Sequence, residues 1–380
     1  MTTNKNHNSP NVPNSTDYGN AFRNVPALRF PEFSGEWKRE ILNDVCTFHN
    51  GRAYKQNELL SDGKYHVLRV GNFFTNDSWY YSDLELDDEK VAVNGDLLYA
   101  WSASFGPRFW TGEKVIYHYH IWKIDSFQQV SKEFLFYFLE RDTEKIKNEV
   151  QGGTMVHITK GDMEKREILY PSILEQSKIA RLLSLLDERI ATQNKIIERY
   201  ESLIRGIAQK IARNNKPNVL LAECLKCSSS TLQESDVCEN GTYPVYGANG
   251  IVGYLDGYST EDEAVHIIKD GSGVGTVSYV TGKCSATGTL NTLQAKDGYL
   301  LQYLYYMLKV FNFEPYKTGM AIPHIYFKDY GKAKIFCPSY TEQLKYVDLL
   351  SAIDNKLSVE QRILTNLSLQ KQYLLRLMFI

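Results

Sequence analysis

Two short groups of residues have the side-chain types that bind metal ions. Cys224 and Cys227 form a Cys-x-x-Cys pair, and His118 and His120 would face the same side of a strand. A zinc site needs further ligands at suitable spacing, and neither group has cysteines or carboxylates placed to complete it. We therefore predict no metal site. Reduced thiols and polar or hydrogen-bonded histidines are the favoured interpretation, and zinc is the minor alternative.

A glycine-rich stretch and the motifs that the chain lacks both bear on catalysis. Residues 271–275 (Gly-Ser-Gly-Val-Gly) would suit a phosphate-binding loop only if a helix followed, because the helix N-terminus supplies the amides and the dipole. Strand-like residues follow instead, which predicts a hairpin or a bulge. The sequence has no P-loop, no nucleophile elbow, no His-Glu-x-x-His and no Asn/Asp-Pro-Pro-aromatic tetrad. We predict no catalytic residue and no cofactor in this chain.

The overall charge limits how strongly the chain alone could bind a polyanion. Its 43 Lys and Arg residues against 45 Asp and Glu give a net charge of −2, which leaves room only for local basic patches or for a more basic partner. No apolar run reaches the ~18–20 residues that cross a bilayer. Residues 1–24 lack the apolar core of a secretory signal and predict a disordered lead-in. The expected location is cytoplasmic.

The chain repeats itself at an offset of 167 residues, without gaps, over residues 152–187 and 319–354. Each copy has a strand-like segment followed by Pro-Ser-x-x-Glu-Gln, which predicts a helix start with a capping box, Ser172 with Glu175 in the first copy. Two copies of one long unit imply a pseudo-two-fold molecule. The identical pairs include His157 with His324, Gln176 with Gln343 and Asp187 with Asp354.

Two long helices are predicted over residues 172–214 and 339–380. Apolar residues recur in both in alternating steps of four and three, the heptad pattern of a coiled coil. At ~1.5 Å per residue, each helix would span on the order of 55–60 Å. The simplest assembly is an antiparallel pair in which Gln193 meets Glu360, and two core helices of an ordinary globular domain are the alternative. The predicted seam consists of Ile179, Leu183, Leu186, Ile190, Ile197, Ile204, Leu350, Ile353, Leu357, Leu364, Leu367 and Leu374.

The segments before the two helices predict strand-rich globules. Residues 25–171 and 215–338 are rich in tyrosine, glycine and short apolar runs such as 96–101, with Gly, Asn and Asp between the runs. Each segment contains a predicted short helix, over 132–147 and 299–309. The predicted fold class is α+β, with two pseudo-two-fold-related mixed α/β globular domains joined by two long antiparallel coiled-coil helices.

This arrangement resembles the specificity subunits of type I restriction-modification systems. The resemblance covers the chain after about residue 25 and includes three local strings. These are Val-Pro-Ala-Leu-Arg-Phe-Pro-Glu-Phe-Ser-Gly-Glu-Trp at 25–37, Gly-Asp-Leu-Leu at 95–98 and Tyr-Pro-Val-Tyr-Gly-Ala-Asn-Gly at 243–250. The order and the duplication of the segments make the match specific.

The resemblance implies a non-catalytic, DNA-binding subunit. Each globule would be a target-recognition domain that reads one half of a bipartite sequence in double-stranded DNA. The helix pair would set the gap between the halves and dock two methyltransferase subunits, which would modify adenine with S-adenosylmethionine. Restriction/motor subunits would join the complex, use ATP and Mg, and cut unmodified DNA as a defence against foreign DNA.

Candidates for DNA contact are chosen by the chemistry of readout. Base edges are read by Arg, Lys, Asn, Gln and hydroxyl groups on rigid supports, while phosphates attract basic side chains. For each residue, an ordinary surface or structural role is the alternative. That alternative is stronger for His157 and His324, because they match each other in two copies that would read different half-sites. The candidates in the first copy are Arg69, Asn72, Tyr99, Trp101, Ser102, Ser104, Arg108, His118 and Lys160. Those in the second copy are Asn249, Lys269, Ser272, Lys283, Thr287, Asn291, Lys317 and His324.

Three other functions compete with this interpretation. A non-catalytic protein-binding scaffold with a coiled-coil spacer fits the near-neutral charge and the abundant tyrosine. An enzyme, such as a fused methyltransferase or nuclease, is disfavoured by the missing motifs. A degenerate specificity subunit is disfavoured by the intact second repeat. The target sequence, the gap length and the modified base are not encoded in any recognisable pattern.

Overall fold

A computed structural model describes residues 24–74, 76–102, 104–149, 158–319 and 322–380. The chain divides into two compact units: unit 1 comprises Met1–Ile190 with Asn366–Ile380, and unit 2 comprises Ala191–Thr365. Both boundaries fall inside long helices, so each unit holds a globule and part of each helix. The predicted lead-in, over 1–24, lies outside the described residues except for Asn24.

Unit 1 contains two four-stranded sheets and a two-stranded ribbon in its described residues. The first sheet has the order β2-β9-β6-β7, the second has the order β4-β3-β8-β5, and β1 pairs with β10. All pairs are antiparallel except β3 with β8. The strands are β1 (Lys38–Ile41), β2 (Thr47–Asn50), β3 (Tyr65–Leu68), β4 (Tyr80–Ser82), β5 (Val91–Ala92), β6 (Leu97–Ser102), β7 (Ser104–Phe109), β8 (Val115–Tyr117), β9 (Ile121–Asp125) and β10 (Glu167–Tyr170).

The helices of unit 1 cover one face of its first sheet, except α2 (Val70–Phe74), whose Phe73 packs on the other face. Alternation along β6 sends Leu97 and Tyr99 into a core with Phe134 of α3, while Leu98 and Ala100 face the second sheet. Both faces of β6 are therefore buried, which explains its nearly continuous apolar sequence. The helices are α1 (Leu42–Val45), α2 (Val70–Phe74), α3 (Lys132–Glu149), α4 (Lys160–Glu164) and the beginning of α5 (Ile173–Asn214).

Unit 2 repeats this topology. Its four-stranded sheet has the order β12-β18-β15-β16, a second sheet has the order β14-β13-β17, and β11 pairs with β19. The strands are β11 (Val219–Leu220), β12 (Leu225–Ser229), β13 (Tyr243–Gly247), β14 (Gly250–Leu255), β15 (Glu263–Ile268), β16 (Val277–Thr281), β17 (Ser285–Ala286), β18 (Leu290–Ala295) and β19 (Lys334–Ile335). The helices are α6 (Leu221–Cys224), α7 (Leu301–Lys309), α8 (Phe327–Tyr330) and α9 (Tyr340–Met378). The predicted duplication of a mixed α/β globule is confirmed.

The repeated residues tie each globule to its long helix. The Gln176 side chain accepts a hydrogen bond from the backbone amide of Ser131, 2.8 Å away, at the start of α3. Gln343 does the same for Leu300 at the start of α7, at 2.9 Å. Both glutamines are almost fully buried, so losing either bond would leave a buried polar group unpaired. The identities between the copies therefore mark this junction.

Asp187 and Asp354 lie further along the two long helices, and each makes a second contact that both copies share. Asp187 accepts a hydrogen bond of 2.9 Å from the hydroxyl of Tyr137, and Asp354 accepts one of 3.3 Å from Tyr306. In each unit the tyrosine belongs to the short helix of the globule, α3 or α7. The sequence repeat thus encodes two polar contacts that fix how this helix packs on the long one.

In the first copy, Glu175 is bound by Arg29 and does not form the predicted capping box with Ser172. Both carboxylate oxygens of Glu175 accept hydrogen bonds of 2.7 Å from Arg29, and Glu175 is buried. A buried carboxylate needs a charged partner, and the guanidinium supplies two aligned donors. In the second copy, the Ser339 hydroxyl donates to the Glu342 carboxylate at 2.9 Å, a bond between the two predicted side chains and not one of the side-chain-to-amide bonds of a capping box. Local sequence could not reveal a partner 146 residues away.

The seam predicted from the heptad pattern is buried within each unit. In unit 1 the beginning of α5 packs with the end of α9, whereas in unit 2 the end of α5 packs with the beginning of α9, as an antiparallel pair requires. Gln193 donates to the carboxylate and the carbonyl of Glu360, so the predicted polar pair meets. Buried seam residues are Ile179, Leu183, Leu186, Ile197, Ile204, Leu350, Leu357 and Leu367; half-buried ones are Ile190, Ile353, Leu364 and Leu374.

The predicted long helices and globules are observed, with small shifts at their ends. The helix predicted from residue 172 begins at Ile173, and the one predicted from residue 339 begins at Tyr340. The fold-class prediction is confirmed. In the part of the chain that the structure describes, no helix has the length and apolarity needed to cross a membrane.

Candidate nucleic-acid interface

In unit 1, several predicted residues gather at the ends of β6 and β8. The backbone amide of Trp101 donates to the carbonyl of His120 at 3.1 Å, and its indole donates to the carbonyl of Tyr119 at 2.8 Å. The His118 ring centroid lies 4.4 Å from that of Tyr119 and 4.9 Å from that of His120. We call these four residues the aromatic cluster. It offers flat rings and imidazole nitrogens, the groups that contact bases and sugars.

Two arginines of unit 1 are held by neighbouring aromatic rings. The guanidinium of Arg69, just after β3, lies 4.2 Å from the centroid of the Tyr80 ring. That of Arg108 lies 4.8 Å from the Phe74 ring, and Arg108 is exposed. Stacking orients a planar guanidinium without using its hydrogen-bond donors. Both arginines therefore keep donors for a phosphate or a guanine edge.

His118 should make the stability of the chain depend on pH. Burial is the main cause that lowers the pKa of His118 to about 4, with smaller effects from His120 and Arg69. An unfolded histidine titrates near about 6.5, so between these values only the unfolded chain binds the proton, and stability is lost as pH falls. We expect His118→Asn to reduce the loss of unfolding free energy between pH 7 and 4 by about 1–3 kcal/mol, measured by urea denaturation.

A non-titrating substitution nearby provides the control for that measurement. Asn72→Ala alters the same unit without removing an ionisable group, so its pH profile should keep the wild-type slope. Parallel profiles for wild type and His118→Asn would show that the ring is protonated equally in the folded and unfolded chain.

In unit 2, predicted residues come from two separate segments that meet. The backbone amide of Ile325 donates to the carbonyl of Lys269 at 2.9 Å, joining residues 322–325 to the end of β15. Nδ1 of His324 lies 2.6 Å from a carboxylate oxygen of Asp270. Lys269 and His324 are thus brought together although 55 positions separate them in the sequence. The Asp270 carboxylate orients the imidazole and leaves Nε2 for another partner.

Three further candidates are exposed, and one of them, Lys283, lies at the opposite end of β15 from this pair. Ser272 lies in the loop after β15, Asn249 at the tip between β13 and β14, and Lys283 just before β17. The Lys283 ammonium lies 4.5 Å from the Tyr258 ring centroid. Lys317 is bonded to Glu314 at 2.6 Å, which offsets part of the charge it could bring to a phosphate.

The glycine-rich residues 271–275 connect β15 to β16. Gly271 and Gly275 adopt φ values of +93° and +92°, which residues with a Cβ rarely adopt. The amide of Gly275 donates to the carbonyl of Ile268 at 2.9 Å and closes the turn. The prediction of a hairpin is confirmed.

Four predicted contact residues have buried side chains, which contradicts a role in direct DNA contact. The hydroxyls of Tyr99 and Thr143 are 2.9 Å apart in the core, and Asn291 donates to the hydroxyl of Tyr330 at 3.0 Å. Sequence reasoning chose these residues by type, whereas strand alternation and packing turned them inward. They are Tyr99, Ser102, Thr287 and Asn291, exposed by 0%, 7%, 2% and 3% respectively.

The remaining candidates have other contacts or positions. The Asn72 amide donates to the carbonyls of Asn76 and Ser78, so it organises its own loop. Lys160 lies 3.3 Å from Glu164, one turn further along α4. Ser104 begins β7. The repeat-matched His157 lies outside the described residues, so the structure gives no account of it.

Sequence reasoning missed Tyr54 and Arg52, which adjoin the aromatic cluster. The Tyr54 ring stacks on His118 with centroids 6.3 Å apart, and the Arg52 guanidinium lies 5.3 Å from the Tyr54 ring. An isolated parallel bridge joins Arg52 to His118. The contact joins segments far apart in the chain, so no local pattern could reveal it. The Arg-x-Tyr next to a glycine was only a weak signal that these residues matter.

Of the cysteine pair, Cys224 is buried and Cys227 is half-buried. Cys224 ends α6 and Cys227 lies in β12, and burial raises the pKa of both thiols to about 11. Among the residues that the structure describes, no group of three or more His, Cys, Asp or Glu side chains is placed to hold a metal ion.

Comparison with known families identifies this pair of repeated units. Residues 34–202 and 221–369 match the family model described as the type I restriction modification DNA specificity domain. The chain belongs to this family. The two matches fall one on each copy of the repeated topology, so each globule with its helix corresponds to one specificity domain.

Individual specificity proteins share parts of the chain. It is 26% identical over 194 residues to the specificity subunit of the type I restriction enzyme MjaVIII from Methanocaldococcus jannaschii, covering 50% of this chain and 44% of that subunit. The match thus spans less than half of that relative. A protein of Mycoplasma genitalium named as a candidate type I specificity subunit is 25% identical over 275 residues, covering 66% of this chain and 71% of that protein.

A solved structure shares the fold. The crystal structure of a type I restriction-modification system S subunit from M. genitalium superposes with a TM-score of 0.61 at 19% identity, covering 94% of this chain and 99% of that one. The fold of this chain, with its duplicated globules and long helices, is therefore that of a known S subunit.

Proposed function

We propose that this chain is the non-catalytic, sequence-reading subunit of a type I restriction-modification complex. One observation carries the proposal: a duplicated sheet topology presents different side chains at equivalent strand ends. Unit 1 presents the aromatic cluster after β6 and β8, and unit 2 presents Lys269 and His324 near the end of β15. A shared scaffold with different surface chemistry is what two readers of an asymmetric, bipartite sequence require, because base edges differ in their donors and acceptors.

The reactions of the complex belong to partner subunits in this proposal. Two methyltransferase subunits would modify adenine using S-adenosylmethionine, and restriction/motor subunits would use ATP and Mg. This chain would supply DNA contacts through its globules, and its helix pair would set the unread gap between the half-sites. The near-neutral charge supports shared binding, since affinity for DNA depends on the number of phosphates neutralised by all subunits together.

The outer faces of the long helices support a docking role. Several large apolar side chains there are at least 39% exposed, although seam residues a few positions away are buried. Contiguous exposed apolar patches mark protein-binding surfaces, and apolar residues four positions apart, such as Val359 and Ile363, adjoin on a helix surface. We propose that methyltransferase subunits cover them. These residues are Leu185, Leu203, Val359, Ile363, Leu369 and Tyr373.

Removing two of these side chains should weaken the complex without unfolding the chain. Leu203→Gln with Leu369→Gln is expected to reduce co-purification of a methyltransferase subunit at least about tenfold, as when a buried anchor is truncated, with Tm within about 2 °C of wild type. The control pair Glu201→Gln with Gln372→Ala alters exposed residues of the same two helices. Equal loss in both pairs, or none in the leucine pair, would remove these leucines from the interface.

The experiment that tests the function is co-expression with a type I methyltransferase subunit, followed by single-molecule sequencing of host DNA for methyladenine. A bipartite motif that depends on this chain supports the proposal. Complex formation without any motif would indicate a degenerate subunit. Absence of association with methyltransferases would favour the protein-binding scaffold, and methylation by the chain alone would indicate a fused enzyme.

A further inference from the structure

Unit 2 contains a cavity between its two main sheets that the contact predictions do not use. Its volume is about 390 Å³, within the ~300–1,000 Å³ range of small-ligand sites. The tip of β13 and β14 forms one wall, and the ends of β15, β16 and β18 form the others. Among the residues that the structure describes, no Asp, Glu, Lys or Arg lines it. The lining therefore favours a neutral ligand.

His266 of β15 lines this cavity with its hydrogen-bonding capacity unused. The residue is 1% exposed, and neither ring nitrogen has a hydrogen-bond partner among the described residues. Burial lowers the pKa of His266 to about 4, so near pH 7 the ring is neutral and offers one donor and one acceptor. Buried polar groups in folded proteins are nearly always paired. An unpaired donor and acceptor on one ring therefore indicate a ligand that supplies both complements.

Unit 1 shows what this face looks like without a site. The corresponding face of β6 carries Leu98 and Ala100, both fully buried among Leu68, Val115 and Tyr117 of the opposite sheet. The shared topology is therefore stable with an apolar filling. Unit 2 instead has a polar residue and an empty volume at this place, and the shared architecture requires neither of them.

The other lining groups suit a flat ring. The Tyr246 ring lies 5.5 Å from the His266 ring, and Ile268, Val280 and Leu290 supply apolar walls. Hydroxyls of Thr276 and Ser278 lie at the rim, where both residues are exposed. A neutral heteroaromatic ring with a donor and an acceptor on one edge is complementary to this set, since aromatic walls stack and the imidazole pairs with the edge.

The cavity adjoins the proposed DNA surface. Ile268 in its wall directly precedes Lys269, and Ala248 and Gly250 in its wall flank the exposed Asn249. We propose that this cavity binds a nucleobase through His266, with its sugar outside, the base coming either from DNA bound at unit 2 or from a free nucleoside. The DNA source rests on the proposed function; the free source does not. A base taken from DNA must be unstacked, and binding in the cavity would offset that cost.

Two variants test the site while keeping the fold. His266→Leu places on this face the residue type that unit 1 uses, and Ser278→Leu fills the rim from an exposed strand position. Because His266→Leu removes an unpaired buried polar group, its Tm should equal or exceed that of wild type. Ser259→Ala, at an exposed position between β14 and β15 outside the cavity, is the matched control.

The first measurement is saturation-transfer NMR of the full chain with adenosine, guanosine, cytidine and thymidine. We expect at least one nucleoside to show transfer to its base protons in wild type and Ser259→Ala, reduced at least tenfold in both leucine variants. The second uses the assembled complex on its own methylated motif, with 2-aminopurine placed at each position of the half-site read by unit 2. A several-fold rise in fluorescence that His266→Leu abolishes would identify an extruded base.

The two measurements distinguish the two sources of the base. They also distinguish failure of the nucleobase site from failure of the proposed function. Nucleoside binding without a fluorescence change assigns the free nucleoside, and the fluorescence change assigns the base of bound DNA. If the complex has no methylated motif, the proposed function fails while the NMR measurement still decides the cavity. If neither measurement shows a signal that depends on His266, the nucleobase site is overturned.

Discussion

Replacing Leu350 with alanine is expected to lower the free energy of unfolding by about 2–5 kcal/mol. Leu350 is fully buried in the core of unit 2, where it clusters with Ile204, Leu357 and residues of α7. Truncation removes apolar contacts and leaves a cavity that neighbouring helices cannot close, because the α5 and α9 backbones are fixed by their own hydrogen bonds. Urea denaturation of the purified chain, monitored by circular dichroism, measures the effect.

The adjacent residue is the control for this prediction. Leu349 has the same side chain on the same helix but is 50% exposed, so Leu349→Ala should change the free energy of unfolding by less than about 0.5 kcal/mol. The contrast between neighbouring leucines tests the seam itself, since composition and helix propensity change identically. Similar losses for both substitutions would mean that the two helices do not pack through the heptad positions.

Exchanging residues 215–338 for the corresponding segment of another family member is expected to change one half of the methylated motif completely. The exchanged segment contains Lys269, His324 and Asn249, together with the sheets that hold them. Direct readout depends on such side chains, so new residues at these strand ends would specify different bases. Single-molecule sequencing of host DNA measures both halves of the motif at once.

The reciprocal exchange is the matched control for specificity. Replacing residues 25–171 should change the other half of the motif and preserve the half that the first exchange altered. If either exchange changes both halves, or neither, the two globules do not read independent half-sites. A loss of all methylation would instead be checked by co-purification, which separates failed assembly from failed DNA reading.

Periodicity and repetition in the sequence were enough to predict the architecture. The matched residues 152–187 and 319–354 predicted two related units, and the heptad spacing predicted a buried seam with Gln193 opposite Glu360. These features could be predicted because a helix repeats every 3.6 residues and a strand every two, so burial leaves a regular trace in the chain. The glycine-rich hairpin was likewise predictable, because strand-like residues come directly after its glycines.

The positions of the candidate DNA-contact residues were only partly predictable from the sequence. Residue type selected Lys269 and His324, which the structure brings together, but it also selected Tyr99 and Asn291, which the structure buries. Type does not specify which way a side chain points when both faces of a strand are covered. For β6, alternation could not indicate the solvent face because α3 covers one side and the second sheet covers the other.

The duplicated α+β units, the long helices and their seam could thus be predicted from the chain, because each leaves a local period or a repeated motif. The partners that come from distant segments became known only from the folded chain. Arg29 reaches Glu175, Gln176 reaches the start of α3, and His266 faces a cavity where unit 1 has Leu98. Such contacts depend on how strands and helices pack in three dimensions, and no regular spacing in the chain records that packing.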